Sequence, residues 1–117
     1  MNRRSLRPSG LGLACVAGTS MRPALRPGDL VVTTRPATLR HGDVVLFREP
    51  TRRLRVIHRI VEFDRDSVIT RGDNNPPGLT ERVLVNSIEA KVGLKIPWLG
   101  HLVLWLQPRT GATYECA

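Results

Sequence analysis

The chain has 117 residues with 41% hydrophobic content, enough for one compact domain with a real core and too few for two. Its formal charge of +8 comes from 16 Arg and 2 Lys set against 10 acidic residues. The bases are scattered among acids and aromatic residues make up only 4%, so there is neither a basic stripe nor a stacking surface, and no nucleic-acid partner is expected. Such a charge is better suited to peripheral contact with an anionic membrane leaflet.

At the amino end, Arg3, Arg4 and Arg7 precede the short apolar run Leu11 to Ala17, superficially like a signal peptide. The run is too short for that, and neither it nor Ile96 to Leu106 approaches the roughly 20 apolar residues of a spanning helix. Residues 1–10 read as a flexible segment, 11–107 as one catalytic domain and 108–117 as a tail. Cys15 reads as a small buried hydrophobe; with only Cys116 beside it in the sequence, neither a disulfide framework nor a Cys/His metal site is indicated. His41, His58 and His101 lack ligand-like spacing, so no metal and no cofactor is expected.

Next comes Ala17-Gly18-Thr19-Ser20-Met21-Arg22-Pro23-Ala24-Leu25-Arg26-Pro27-Gly28-Asp29. Ser20 follows a strand-like apolar run, and Pro23 and Pro27 forbid a long helix, which favours a tight turn that exposes the hydroxyl. The apolar residues beyond it fall in short clusters with no sustained 3.6-residue period, the signature of a mainly β, barrel-like sheet domain with little helix. Strands are expected at Leu30 to Thr33, Asp43 to Phe47, Leu54 to Phe63, Ser67 to Thr70 and Ile88 to Ile96. Turns are expected at Pro27-Gly28-Asp29, His41-Gly42-Asp43, Asp64 to Asp66 and Asn74 to Gly78.

With period two, His58 shares a strand face with Val56 and Ile60 while Ile57 and Arg59 point the other way. A histidine there is either a satisfied core residue or a general base. Asp73, at a strand end after Gly72, either holds the histidine tautomer or satisfies backbone donors of the turn. The apolar run Ile96 to Leu106, carrying Trp98 and Trp105, reads as a terminal element packed on the core or as one lying in a lipid interface.

These segments, taken together, resemble the signal peptidase I family. Gly18 to Val31 resembles its nucleophile box, His41 to Phe47 its Gly-Asp-Val strand, Val56 to Val61 its base-carrying strand and Ile69 to Asn75 its Gly-Asp-Asn box. Ile88 to Val92 and Ile96 to Gly100 extend the likeness to roughly residues 16–100. Histidine at the base position points to the Ser/His branch found in endoplasmic-reticulum and archaeal enzymes. The only lysines, Lys91 and Lys95, follow the Gly-Asp-Asn box.

The resemblance implies a serine endopeptidase that cleaves a leader or signal peptide after small residues. Ser20 would attack the scissile carbonyl, and His58 would take its proton and return it to the leaving amine. The third member would be Asp73, or Glu81 in its place, or the site would run as a dyad, because the usual Asp pair is replaced by Pro76 to Glu81. Gly18, Thr19 and the Ser20 backbone N–H would serve the oxyanion, with Met21 and Val44 to Leu46 as pocket walls. The roughly ten mostly uncharged residues after Arg7 fall short of the family's usual anchor. A cytoplasmic enzyme, a peripheral membrane enzyme and a start placed too far downstream therefore remain open. The competing readings are a catalytically degenerate β-domain that binds extended peptides or a membrane partner, and a repressor-type autoprotease domain.

Overall fold

The computed structural model describes residues 11–35, 38–49, 51 and 53–96. The expected amino-terminal segment, the carboxyl-terminal tail, both tryptophans, His101 and Cys116 lie outside these. The strands are β1 (Leu11–Cys15), β2 (Leu30–Thr34), β3 (Val44–Arg48), β4 (Arg55–Asp64), β5 (Ser67–Arg71), β6 (Glu81–Leu84) and β7 (Ile88–Ile96). A single 3-10 turn, Val85–Ser87, joins the last two.

Two turns of the same design launch β2 and β3. In Arg26-Pro27-Gly28-Asp29 and Arg40-His41-Gly42-Asp43, the fourth residue's N–H bonds back to the first carbonyl at 3.0 Å in both cases. Gly28 and Gly42 occupy the left-handed region at φ 94° and 93°, as the third position of a type II turn requires. The aspartate then accepts from the first residue's N–H, at 2.9 Å in one turn and 2.8 Å in the other. Asp43 thus closes its turn, and β3 begins at Val44 rather than at Asp43.

The seven strands of the described residues all pair antiparallel in one curled sheet, ordered β1-β2-β7-β3-β4-β5-β6. The last strand returns to the middle, between β2 and β3, and so closes the chain on itself. Alternation along β3 assigns its side chains to two cores: Leu46 packs with Val31, Ile57 and Ala90, while Val45 and Phe47 pack with Ile60, Val68 and Ile88. Each large apolar side chain so buried contributes about 1.5–3 kcal/mol. The first core is capped by Met21 and Leu25 from the segment between β1 and β2. Cys15 is buried, as its apolar run implies, but it is not a free thiol.

The mainly β architecture follows the sequence expectation, with two strands added. β1 precedes Ser20 as the strand-like run suggests. β6 is new: Glu-Arg-Val-Leu has one buried apolar position, Val83, and carries too little pattern to be recognised alone.

Candidate active site

The segment from Val16 to Asp29 leaves β1 and returns to β2 as a closed loop. Val16 N–H donates to the Asp29 carbonyl at 2.9 Å and Gly28 N–H donates to the Val16 carbonyl at 2.8 Å. Within it, Leu25 N–H reaches the Met21 carbonyl at 2.9 Å, and both side chains are buried in the first core. The loop is therefore anchored through its apolar side chains, and Ser20, half-buried just before Met21, is left facing a cleft.

The Gly72-Asp73-Asn74-Asn75 segment seats this loop. Asn74 N–H donates to the Ser20 carbonyl at 2.7 Å and its side-chain amide donates to the Thr19 carbonyl at 3.2 Å. The Asp73 N–H points at the Met21 sulfur, 3.4 Å away. Gly72 lies so close that a Cβ placed on it would fall 2.7 Å from the Ser20 carbonyl oxygen and 2.9 Å from the Ser20 Cβ. Only a glycine allows the two loops to meet.

His58, on β4, faces Ser20 across the cleft. The Ser20 hydroxyl lies 3.0 Å from Nε2. On the other side of the ring, Nδ1 lies 2.9 Å from Oε1 of Glu81. A carboxylate can only accept, so the proton sits on Nδ1 and Nε2 is the acceptor for the serine hydroxyl. The imidazole is buried and meets Phe47 edge-on, with ring centroids 6.3 Å apart.

Strand register brings these groups together. His58 and Ile60 share a face of β4, Ile60 stands opposite Thr70 on β5, and Thr70 stands opposite Glu81 on β6. β4 and β6 are thus bridged by β5, and the Thr70 hydroxyl donates to the same Glu81 oxygen at 2.6 Å.

Asp73 is placed elsewhere. It accepts from Arg59 Nε at 2.9 Å and from the outer guanidinium nitrogen at 2.8 Å, while the remaining nitrogen donates to the Gly42 carbonyl at 2.8 Å. Donating to the Asp73 carboxylate holds the Arg59 guanidinium above its already very basic ordinary pKa, against an opposing desolvation. The structure therefore brings Ser20 and His58 together with Glu81, the carboxylate the sequence left as an alternative, and ties Asp73 to the turn and the loop.

A cleft of about 530 Å³ opens over the Ser20–His58 pair. Gly18 and Met21 line it, as do Val16, Val56, Ile57 and Leu79. Thr19 contributes its carbonyl to the loop clamp, and Val44 packs against the first core rather than along the cleft. Thr70 and Leu79 drew no attention in the sequence; each becomes visible only through strand register or loop closure. Among the described residues no three His, Cys, Asp or Glu side chains gather as a metal ion would need, and no helix is long and apolar enough to cross a membrane.

The catalytic subunit of the signal peptidase complex of Lachancea thermotolerans is 26% identical over 109 residues, covering 80% of this chain and 65% of that protein. The corresponding subunit of Plasmodium falciparum is 27% identical over 105 residues, covering 78% of this chain and 56% of its own length. The chain thus spans between about half and two thirds of the curated relatives it matches. A family model described as Peptidase S24-like matches residues 1–88, three quarters of the sequence. By that match, and on the fold and loop arrangement described above, the chain belongs to the Peptidase S24-like family.

Proposed function

We propose that this protein is a serine endopeptidase that cuts a leader or signal peptide after small side chains, with Ser20 as nucleophile and His58 as general base. The observation that carries this reading is the continuous line from the Ser20 hydroxyl through both nitrogens of His58 to Glu81, at 3.0 and 2.9 Å. Three groups in this order make a weak alcohol nucleophilic: the imidazole takes the hydroxyl proton as the Ser20 oxygen attacks the scissile carbonyl, and the carboxylate stabilises the imidazolium that forms. The proton then passes to the leaving amine, the C–N bond breaks, and a covalent acyl-Ser20 ester remains. Water, deprotonated by the same imidazole, hydrolyses that ester and restores Ser20.

The developing oxyanion would lie near the turn of Gly18 and Thr19, with the Ser20 backbone N–H as donor. The walls beside the nucleophile are apolar, from Val16, Met21 and Ile57, which suits a small aliphatic side chain in an extended substrate. The relatives' naming as signal peptidase catalytic subunits supports a leader-bearing substrate.

The test is mass-spectrometric mapping of bonds cut in a diverse peptide library by wild type, Ser20→Ala and His58→Ala, with and without anionic vesicles. Cleavage after small residues that vanishes in both variants is the expected result. Folded wild-type protein that cuts nothing in either condition would overturn the reading in favour of a peptide-binding β-domain.

A further inference from the structure

We infer that Thr70 is a positioning residue of the site, holding the Glu81 carboxylate at the angle from which it fixes His58; this rests on the peptidase reading for its kinetic consequence, although the geometry itself does not. Thr70 is fully buried on β5, between Ile60 on one neighbouring strand and Glu81 on the other. A hydroxyl in that position must find a partner, because leaving it unpaired in an apolar setting costs more than the bond itself contributes. It gives its proton to Oε1 of Glu81 at 2.6 Å, the short distance of a charge-assisted bond.

The atom it chooses matters. Oε1 is also the oxygen that accepts from His58 Nδ1 at 2.9 Å, so a single carboxylate oxygen joins the imidazole to a buried, immobile hydroxyl. Glu81 opens the edge strand β6, follows the Pro-Pro-Gly loop and keeps a quarter of its side chain exposed. A glutamate in that place has three rotatable bonds and, among the described residues, no strand beyond β6 to hold it. Thr70 is rigid by contrast: β-branched, in the sheet interior and flanked by the fully buried Val68. The cross-strand pair thus takes the freedom out of the longer side chain. A threonine here does what neither an apolar residue of the same shape nor a flexible donor would do.

The experiment compares wild type, Thr70→Val and Thr70→Ser in the full chain. Valine keeps the shape and removes the donor; serine keeps the donor. The first readout needs no catalysis: the downfield proton resonance of His58 Nδ1–H, assigned by its loss in His58→Ala. We expect it to shift or broaden in Thr70→Val and to return in Thr70→Ser. The second is the split of the kinetic constants, with kcat falling about tenfold or more in Thr70→Val, KM unchanged and serine restoring the rate. A valine variant that melts normally with an unmoved resonance overturns the inference, whatever the enzyme cuts. A moved resonance beside a wild type lacking Ser20-dependent cleavage would uphold the positioning role and sink the peptidase reading instead.

Discussion

Arg59 grips Asp73 with two guanidinium nitrogens, at 2.9 and 2.8 Å, and because Arg59 follows His58 directly on β4 the pair stands on the opposite face of that strand from the imidazole. Asp73 therefore belongs to the loop clamp, and Glu81 to the His58 imidazole.

Two carboxylate substitutions separate these roles. Glu81→Gln should lower kcat by a factor on the order of 10⁴, the scale seen when the carboxylate orienting a catalytic histidine is replaced by an amide, with little change in melting temperature. Asp73→Asn should instead cost about 1–2 kcal/mol of stability and lower activity only as far as the Ser20 loop loosens. Steady-state kinetics beside thermal melts would decide it. An Asp73→Asn variant that melts normally and is as inactive as Glu81→Gln would reverse the assignment.

The Arg59–Asp73 pair also makes a statement about pH. Asp73 raises the Arg59 pKa above its ordinary value, so the stabilisation through the arginine is fully present below the unfolded-state value and is lost only as pH rises through the folded one. The difference in melting temperature between wild type and Arg59→Met should thus stay flat from about pH 7 to 10, since arginine titrates well above that range. Arg59→Lys should recover little of that difference, because an ammonium cannot reproduce the two parallel bonds. A stability difference that shrinks steadily across this range would show that another group carries it.

Gly72 offers the most direct test of the clamp. In Gly72→Ala the methyl group would meet the Ser20 backbone carbonyl at 2.7 Å, a contact that only backbone movement can relieve. The expected cost is about 1–3 kcal/mol, as for other overpacked sites, accompanied by loss of activity as Ser20 leaves the reach of His58. Gly78→Ala is the control, since nothing lies within 4 Å of a Cβ there. Equal melting temperatures and rates for the two variants would show that the loops do not need this close approach.

Much of this was legible in the chain. Alternation on β4 put His58 with Val56 and Ile60, and the two Gly-Asp turns marked where β2 and β3 begin. What escaped was long-range: Asp73 and Glu81 lie 15 and 23 positions after His58, and sequence distance does not say which carboxylate reaches the ring. That depends on Thr70 standing opposite Glu81 and on the irregularity between Ile60 and Glu62, which sets the register of β4 against β5. β6 was missed for the same reason, since its role rests on pairing with β5 rather than on its own pattern.

Met21 has two faces to test, as a wall of the cleft and as a member of the first core, where it is only 2% exposed. Core membership should dominate: Met21→Ala should cost about 2–5 kcal/mol, and Met21→Leu, which keeps the volume, less than about 1.5 kcal/mol. Urea unfolding would measure both. An alanine variant with unaltered stability and altered cleavage preference would make the residue purely a substrate contact.

Leu54 and Leu79 are the opposite case. Both line the cleft yet are more than half exposed, at 55% and 54%, so neither adds much to folding and, on the proposed peptidase function, both are free to cover part of an extended substrate. Burying one leucine side chain contributes about 1.5–3 kcal/mol, at 1.4 kcal/mol per factor of ten. Leu54→Ser and Leu79→Ser should accordingly each raise KM for an apolar leader about tenfold, with kcat and melting temperature held. The split follows from position: the two side chains stand at the walls of the cleft, away from the line joining Ser20, His58 and Glu81, and so contribute equally to the bound substrate and to its transition state. A fall in kcat at constant KM would instead mean that these leucines help set the scissile bond against Ser20.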